Sequence, residues 1–199
     1  NFPNKTGGLP VTAKIHDNLK TVSIAVISPM KNILMVLKAL ENMEAKVQYD
    51  IYGPVKDRDY NDQCLELVKS LPANITVVMH GEVEPAKVKN VLMQAHIFVL
   101  TSKSENFGHA LYEALSAGRP AITSHFTPWN NLREAQAGIN VSLDNNEDLS
   151  SAISFFASMD EGSLSAWSLG ASAYAEKAVD IEKIRKQYED MFLLPDPVS

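Results

Sequence analysis

The sequence has almost no cysteine and no excess of positive charge. Its 199 residues include one cysteine, Cys64, which cannot form an internal disulfide, and no Cys/His cluster indicates a structural zinc site. A reducing, cytoplasmic setting is therefore expected. Lys and Arg number 18 against 24 Asp and Glu, a net charge of −6, and no basic block is present. This balance argues against binding to nucleic acid, which depends on neutralising phosphates.

Long apolar runs are also missing. No segment approaches the roughly 20 apolar residues that a membrane-spanning helix needs, and no charged-then-apolar leader opens the chain. We therefore expect a soluble protein without a transmembrane segment. At roughly 100–200 residues per domain, the length corresponds to one large domain that can bury a core of its own.

What the sequence does contain is an alternation of short β-rich apolar runs with segments of helical periodicity. This pattern predicts an α/β fold with a mainly parallel sheet that is covered by helices on both faces. The predicted strands are residues 22–27, 47–52, 75–79, 97–100, 121–123 and 139–141. After about Val141 the alternation stops, and the predicted helices there are residues 149–156, 164–177 and 181–192.

The rest of the chain is assigned to loops and connecting helices. Residues 1–20 contain prolines and glycines without sustained periodicity, which predicts a linker or tail. Apolar residues at helical spacing between residues 33 and 43, and again at Cys64, Leu65, Val68 and Leu71, predict two helices. Pro85 stands where a first-turn proline is tolerated and is predicted to open a third helix.

Ligands of open α/β sheets bind at the carboxyl ends of the strands, so chemistry is expected in the loops that follow them. The most informative stretch is residues 100–120, in which a strand ends, a polar loop follows and Gly108 precedes a helix. The free backbone N–H groups near His109, Ala110 and Leu111 would face the ligand edge of the sheet. A helix N-terminus in this position can bind a phosphate or diphosphate.

Two carboxylates flank this predicted anion site. Glu105 lies in the loop before the helix, and Glu113 lies about one and a half turns inside it. An ionised carboxylate only accepts hydrogen bonds, so its natural complement is a ligand with adjacent hydroxyls, such as a sugar or a ribose. The arrangement suggests a ligand that is built from a sugar, a diphosphate and a ribose.

Glu105 and Glu113, with seven residues between them that include Asn106-Phe107-Gly108, resemble the Glu-(seven)-Glu motif of glycosyltransferase family 4. The similarity runs from about residue 22 to about residue 192 and includes residues 28–32, 52–54, 80–81, 96–100 and 127–129. It implies a GT-B fold, of which residues 21–180 would be the Rossmann-like C-terminal domain. Residues 1–20 would be the inter-domain linker, and residues 181–199 a helix and tail that cross to the N-terminal domain.

The resemblance also implies an activity. Family members are retaining enzymes that move a sugar from a nucleoside diphosphate sugar to an acceptor hydroxyl, usually without a bound metal. We expect a UDP- or GDP-linked donor, no other cofactor, and an N-terminal domain of the same polypeptide that supplies most of the acceptor site. The chain alone should then bind nucleotide but turn over little. The family resemblance is also compatible with peripheral membrane contact of the whole enzyme.

The family pattern implies a role for each matching side chain. Glu113 would bind the ribose hydroxyls, Glu105 would bind hydroxyls of the donor sugar, and Lys31 would neutralise the diphosphate as it leaves. His109 lies four residues before Glu113 and is expected to orient it by a hydrogen bond rather than to act as a base. Asn106 is also assigned to the predicted donor site.

Backbone groups would make the remaining contacts. The amides of Phe107 and Gly108 would approach the sugar, and those of Ala110 and Leu111 the diphosphate. The loop that contains Gly81 and Val83 would contact the base.

One departure from the family pattern concerns affinity. Most members have an arginine five residues before the lysine, whereas this chain has Val26. A hydrogen bond to a charged group contributes about 1.5–3 kcal/mol, so we expect weak donor binding.

Other interpretations of the same residues remain open. The two glutamates could be helix-start acids that the helix dipole stabilises, and Lys31 could be a solvated lysine. A glycosidase pair is disfavoured, because its carboxyls must face each other across one bond. The main alternative function is a degenerate, non-catalytic module for nucleotide binding or assembly. A dinucleotide-binding oxidoreductase ranks last, because no Gly-x-Gly-x-x-Gly follows a predicted strand.

Overall fold

The computed structural model describes residues 13–178, in which six parallel strands form one sheet. The strands are β1 (Asn18–Ile24), β2 (Lys46–Tyr52), β3 (Ile75–Gly81), β4 (Ile97–Leu100), β5 (Ala121–Ser124) and β6 (Gly138–Val141). Their order is β3-β2-β1-β4-β5-β6, and each neighbouring pair is parallel. The predicted α/β class and Rossmann-like sheet are confirmed.

Within residues 13–178, six helices connect and cover these strands. They are α1 (Ile33–Ala39), α2 (Arg58–Ser70), α3 (Pro85–Gln94), α4 (His109–Ser116), α5 (Glu147–Ala157) and α6 (Glu161–Ala178). The predicted helical character after β6 is confirmed by α5 and α6, and Pro85 opens α3 as expected. No helix within residues 13–178 is long and apolar enough to cross a membrane.

The two faces of the sheet build two apolar clusters. In β4, Ile97 and Val99 pack into the cluster that contains α1, α2 and α5. The alternate residues Phe98 and Leu100 pack into the cluster that contains α3, α4 and much of α6. All four side chains are buried. Because both faces are covered, the strand is a continuous apolar run rather than an alternating one.

The position of β1 beside β4 determines where a ligand can bind. Proceeding from β1, the chain adds β2 and β3 on one side and β4, β5 and β6 on the other. The connections therefore leave the sheet in opposite directions at β1 and β4, which opens a crevice at their carboxyl ends.

The first strand differs from its prediction. β1 covers Asn18–Ile24 rather than residues 22–27, because the polar start of the strand pairs through its backbone with Lys46–Gln48 of β2. Lys14 is also buried, and its ammonium donates to carbonyls of Ile15, Ala157 and Met159. Part of the predicted linker therefore packs on the domain. Residues 1–12 of that linker and the predicted helix at 181–192 lie outside the described residues.

Two helix predictions also need correction. The helical stripe predicted up to residue 43 ends earlier, because α1 stops at Ala39 and Leu40 is its C-cap. In α2 the predicted stripe included Leu65, but that side chain is 40% exposed, whereas Cys64 is fully buried. Tyr60, which was not predicted, takes the second buried position on α2, and its hydroxyl accepts a hydrogen bond from the Leu34 amide.

Candidate functional site

A cavity of about 620 Å³ opens at the carboxyl ends of β1 and β4. It is the crevice expected from the strand order, and loops from both strands line it. A groove of about 810 Å³ lies at the opposite edge, beside Asp17 and Ala45, which precede β1 and β2. The carboxyl edge is where α/β sheets bind ligands, so the smaller cavity is the candidate site. Its lining residues are Ile24, Ala25, Met30, Lys31, Leu100 and residues 104–110.

The cavity brings together two charged side chains that are 74 residues apart in the chain. Lys31, in the loop after β1, forms an ion pair with Glu105, in the loop after β4. Their side chains are 22% and 12% exposed, so the pair is largely shielded from water yet borders the cavity. A cation and a carboxylate side by side can bind an anion and a hydroxyl-bearing group respectively.

The loops that carry this ion pair are tied to each other by hydrogen bonds. The Lys103 amide donates to the Met30 carbonyl at 2.9 Å, and the buried Ser102 hydroxyl also donates to it, at 3.2 Å. The buried Thr101 hydroxyl donates to the carbonyl of Asn32 at 3.0 Å. Asn32 is the N-cap of α1, in a left-handed conformation. The relative position of Lys31 and Glu105 is therefore set by backbone contacts, not by their side chains alone.

The N-terminus of α4 forms one wall of the cavity. Gly108 is its N-cap, with φ of 75° and ψ of 61°, a left-handed conformation that glycine adopts at little cost. The amides of His109, Ala110 and Leu111 belong to the first turn and have no partner within the helix. The predicted helix start is confirmed, and free N–H groups at a helix N-terminus are able to bind an anion.

Phe107 anchors the start of α4 to an aromatic cluster. Its ring lies 4.9 Å from the ring of His109, 5.9 Å from Tyr112 and 5.4 Å from Trp129. Trp129 is 3% exposed, and its indole N–H donates to the Phe107 carbonyl at 2.5 Å. This hydrogen bond joins residues that are 22 positions apart and has no local signal in the sequence.

Four predicted site residues do not line the cavity. Glu113 is half-buried on α4, and burial raises the pKa of its carboxyl, an effect that His109 partly opposes. The Leu111 side chain is in the core, which leaves only its amide for a ligand. Gly81 and Val83 lie at and beyond the end of β3, and β2 separates that strand from β1. Their roles stay predictions.

Other predicted site residues do meet at the cavity. Besides Lys31 and Glu105, the lining includes Asn106, Phe107, Gly108, His109 and Ala110. The sequence did not single out the other lining residues. Their apolar or small side chains carry no obvious chemistry, and only their positions at the ends of β1 and β4 could have indicated them; they are Ile24, Ala25, Met30, Leu100 and Ser104.

The two histidines that flank strands have contacts typical of structural residues. His80 stacks on Tyr52 with ring centroids 4.3 Å apart and bonds to the Asp50 carboxylate at 2.7 Å. His96 is 2% exposed and accepts a hydrogen bond from the Lys20 amide. Burial lowers the pKa of His96 to about 4. Within residues 13–178 no three His, Cys, Asp or Glu side chains gather as a metal site would require.

Comparison with known proteins identifies the family and the fold. The family model of the glycosyl transferases group 1 matches residues 10–166. No curated protein sequence matches the chain significantly. The solved structures that resemble it include HepE of Anabaena in complex with UDP and glucose, with a TM-score of 0.77 and 19% identity over 88% of this chain and 48% of that one.

Two further structures show the same fold. TarM of S. aureus, in a complex that includes UDP, has a TM-score of 0.78 and 17% identity over 96% of this chain and 38% of that one. Sucrose-phosphate synthase of Thermosynechococcus elongatus has a TM-score of 0.76 and 18% identity over 88% of this chain and 45% of that one. The chain thus spans less than half the length of each of these proteins.

Proposed function

The chain belongs to the glycosyl transferases group 1 family, and we propose that it is the donor-binding, C-terminal half of a family 4 enzyme. The observation that carries this proposal is the Lys31–Glu105 ion pair beside the N-terminus of α4, in one cavity. HepE and TarM were solved with UDP, which favours a UDP-linked donor over a GDP-linked one.

The diphosphate of the donor would occupy the N-terminus of α4. The amides of Ala110 and Leu111 would donate to its oxygens. Lys31 would leave its ion pair with Glu105 and pair with a phosphate instead. Negative charge on the diphosphate grows as the bond to the sugar breaks, so a lysine placed there stabilises the transition state more than the ground state. The release of Lys31 would leave Glu105 free to accept hydrogen bonds from the sugar, alongside Asn106 and the Phe107 and Gly108 amides.

The nucleoside would extend away from the cavity toward the β3 edge. Glu113 would accept the ribose hydroxyls, with His109 orienting its carboxylate from one helical turn away. The backbone at Gly81 and Val83 would contact the base. The strand order supports this direction, because α4 follows β4 while β3 lies on the far side of β1 and β2.

The activity of the whole enzyme is part of the same proposal. It would transfer a hexose to an acceptor hydroxyl with retention at the anomeric carbon, without a metal or another cofactor. The acceptor site would lie largely on an N-terminal domain, so residues 1–199 alone should bind donor but show little transfer. A cytoplasmic location is proposed from the single cysteine, which is free and buried.

The alternative, a degenerate module without catalytic function, has one specific observation in its favour. Val26 stands where most family members have an arginine that helps hold the diphosphate, and it does not line the cavity. With that arginine absent, we expect dissociation constants for UDP or GDP that are no tighter than micromolar.

Titration calorimetry of residues 1–199 with UDP and with GDP separates the two functions. We expect heat with one of them, and Glu113→Ala should abolish it. Glu147→Ala is the matched control, because Glu147 is an exposed helix acid away from the cavity. Absence of heat with both nucleotides would exclude donor binding and favour the degenerate module. Sub-micromolar binding would contradict the argument from Val26.

A further inference from the structure

The hydrogen bond from Trp129 to the Phe107 carbonyl has a consequence for the adjacent peptide group. That carbonyl and the Gly108 N–H belong to the same planar trans unit, so they point in opposite directions. Trp129 is buried, whereas Gly108 lines the cavity. With the carbonyl directed to the indole, the N–H is directed away from the indole. Among residues 13–178, the Gly108 N–H has no hydrogen-bond acceptor.

We propose that Trp129 is a positioning residue that holds the Phe107–Gly108 peptide with its N–H facing the cavity. This inference rests on the proposed function, in which that N–H approaches the donor sugar, and it adds that the N–H also faces the terminal phosphate to which the sugar is joined. If the peptide rotated by half a turn, a carbonyl would replace the N–H and repel the anion. The indole bond disfavours that rotation, because it would leave the buried Trp129 N–H unsatisfied.

Trp129 is itself held firmly enough to act in this way. Its carbonyl accepts a hydrogen bond from the Asn140 side chain in β6 at 2.8 Å. Its ring lies 5.9 Å from that of Tyr112 in α4 and 6.2 Å from that of Tyr174 in α6. The indole also lies close under Gly108, because a Cβ at that glycine would be 3.3 Å from Trp129 Nε1. Trp129, itself held in place, therefore contacts the Phe107–Gly108 peptide directly.

The substitution Trp129→Phe removes the N–H and keeps an aromatic ring in the cluster. A purely packing role predicts that UDP and UMP affinities fall by the same factor. The positioning role predicts a specific loss for the terminal phosphate, so that UDP binding weakens about tenfold while UMP binding changes little. GDP and GMP replace this pair if guanosine nucleotides bind better.

Trp167→Phe is the matched control, since it removes the other tryptophan, which packs on Phe155 and Phe156 in the opposite cluster. It should lower the melting temperature and leave the ratio of UDP to UMP affinity unchanged. The same variant has a single indole, so it allows a second test by NMR that does not require Trp129→Phe to fold. The Trp129 indole N–H resonance should shift on addition of UDP and much less on addition of UMP.

The outcomes are distinct. An unchanged UDP to UMP ratio in Trp129→Phe, or an indole resonance that UDP does not move, overturns the positioning role while donor binding stands. Absence of binding of UDP and GDP by the unsubstituted chain overturns the proposed function and, with it, this inference.

Discussion

Glu105→Gln offers the sharpest test of how the ion pair works, because it should weaken the fold and strengthen nucleotide binding at once. The Lys31 and Glu105 side chains are 22% and 12% exposed. Fully exposed pairs contribute about 0.2–1 kcal/mol, and breaking a fully buried pair costs about 3–5 kcal/mol. An intermediate loss of about 1–2 kcal/mol follows, which for a domain of this size lowers the melting temperature by about 2–8 °C.

The effect on binding has the opposite sign. In the unsubstituted chain, Lys31 must leave Glu105 before it can contact a diphosphate, and the carboxylate repels the incoming phosphates. Glu105→Gln removes both costs. If the whole of that 1–2 kcal/mol is recovered on binding, UDP should bind about five- to thirtyfold more tightly. Lys31→Gln should instead weaken UDP binding, because it removes the cation itself.

Thermal denaturation without ligand and calorimetry with UDP measure the two effects. Glu147→Gln and Lys38→Gln are the controls, since both residues are exposed and lie away from this cavity. Weaker UDP binding by Glu105→Gln would refute the competition between Glu105 and phosphate for Lys31. An unchanged melting temperature would refute the ion pair in the ligand-free protein.

Two further predictions concern the scaffold around the site. Gly53→Ala should lower the free energy of unfolding, measured by urea denaturation, by about 3 kcal/mol, because the new Cβ would lie 1.9 Å from the Ala25 carbonyl oxygen. Gly81→Ala, at a left-handed φ but with open space around the Cβ, should lower it by about 1 kcal/mol. Equal losses in the two variants would contradict the clash at Gly53. Burial lowers the pKa of His96 to about 4 from the ordinary 6.5. As the pH drops from 6.5 toward 4, the unfolded chain therefore takes up this proton first, and the stability of the fold should fall. His96→Asn should flatten the dependence of the melting temperature on pH in this range, and an unchanged slope would refute the low pKa of His96.

The fold was predictable to the extent that periodicity encodes it. The strand β4 is a continuous apolar run, and α4 lies between Gly108 and Gly118, so both elements and the loop between them were located from the local sequence pattern. The start of β1 was not, because Asn18 and Lys20 carry no strand signal and join the sheet only through backbone bonds to β2. Leu65 was placed on the same helical stripe as Cys64, although its side chain is 40% exposed, because spacing identifies a stripe but does not define its edge.

By itself, the sequence determined the α/β class, the loops after the strands as the place for chemistry, and the residue types available there, because these follow from local periodicity and from the residues that end each strand. Only the tertiary structure decided that Lys31 contacts Glu105, that Trp129 holds the Phe107 carbonyl, and that Glu113 stands outside the cavity. Contacts across 74 and 22 residues depend on how loops from different strands are tied together, and no local pattern carries that information. The tertiary structure also bears on the expected affinity, because it places Lys31 against a carboxylate that a bound diphosphate would have to displace.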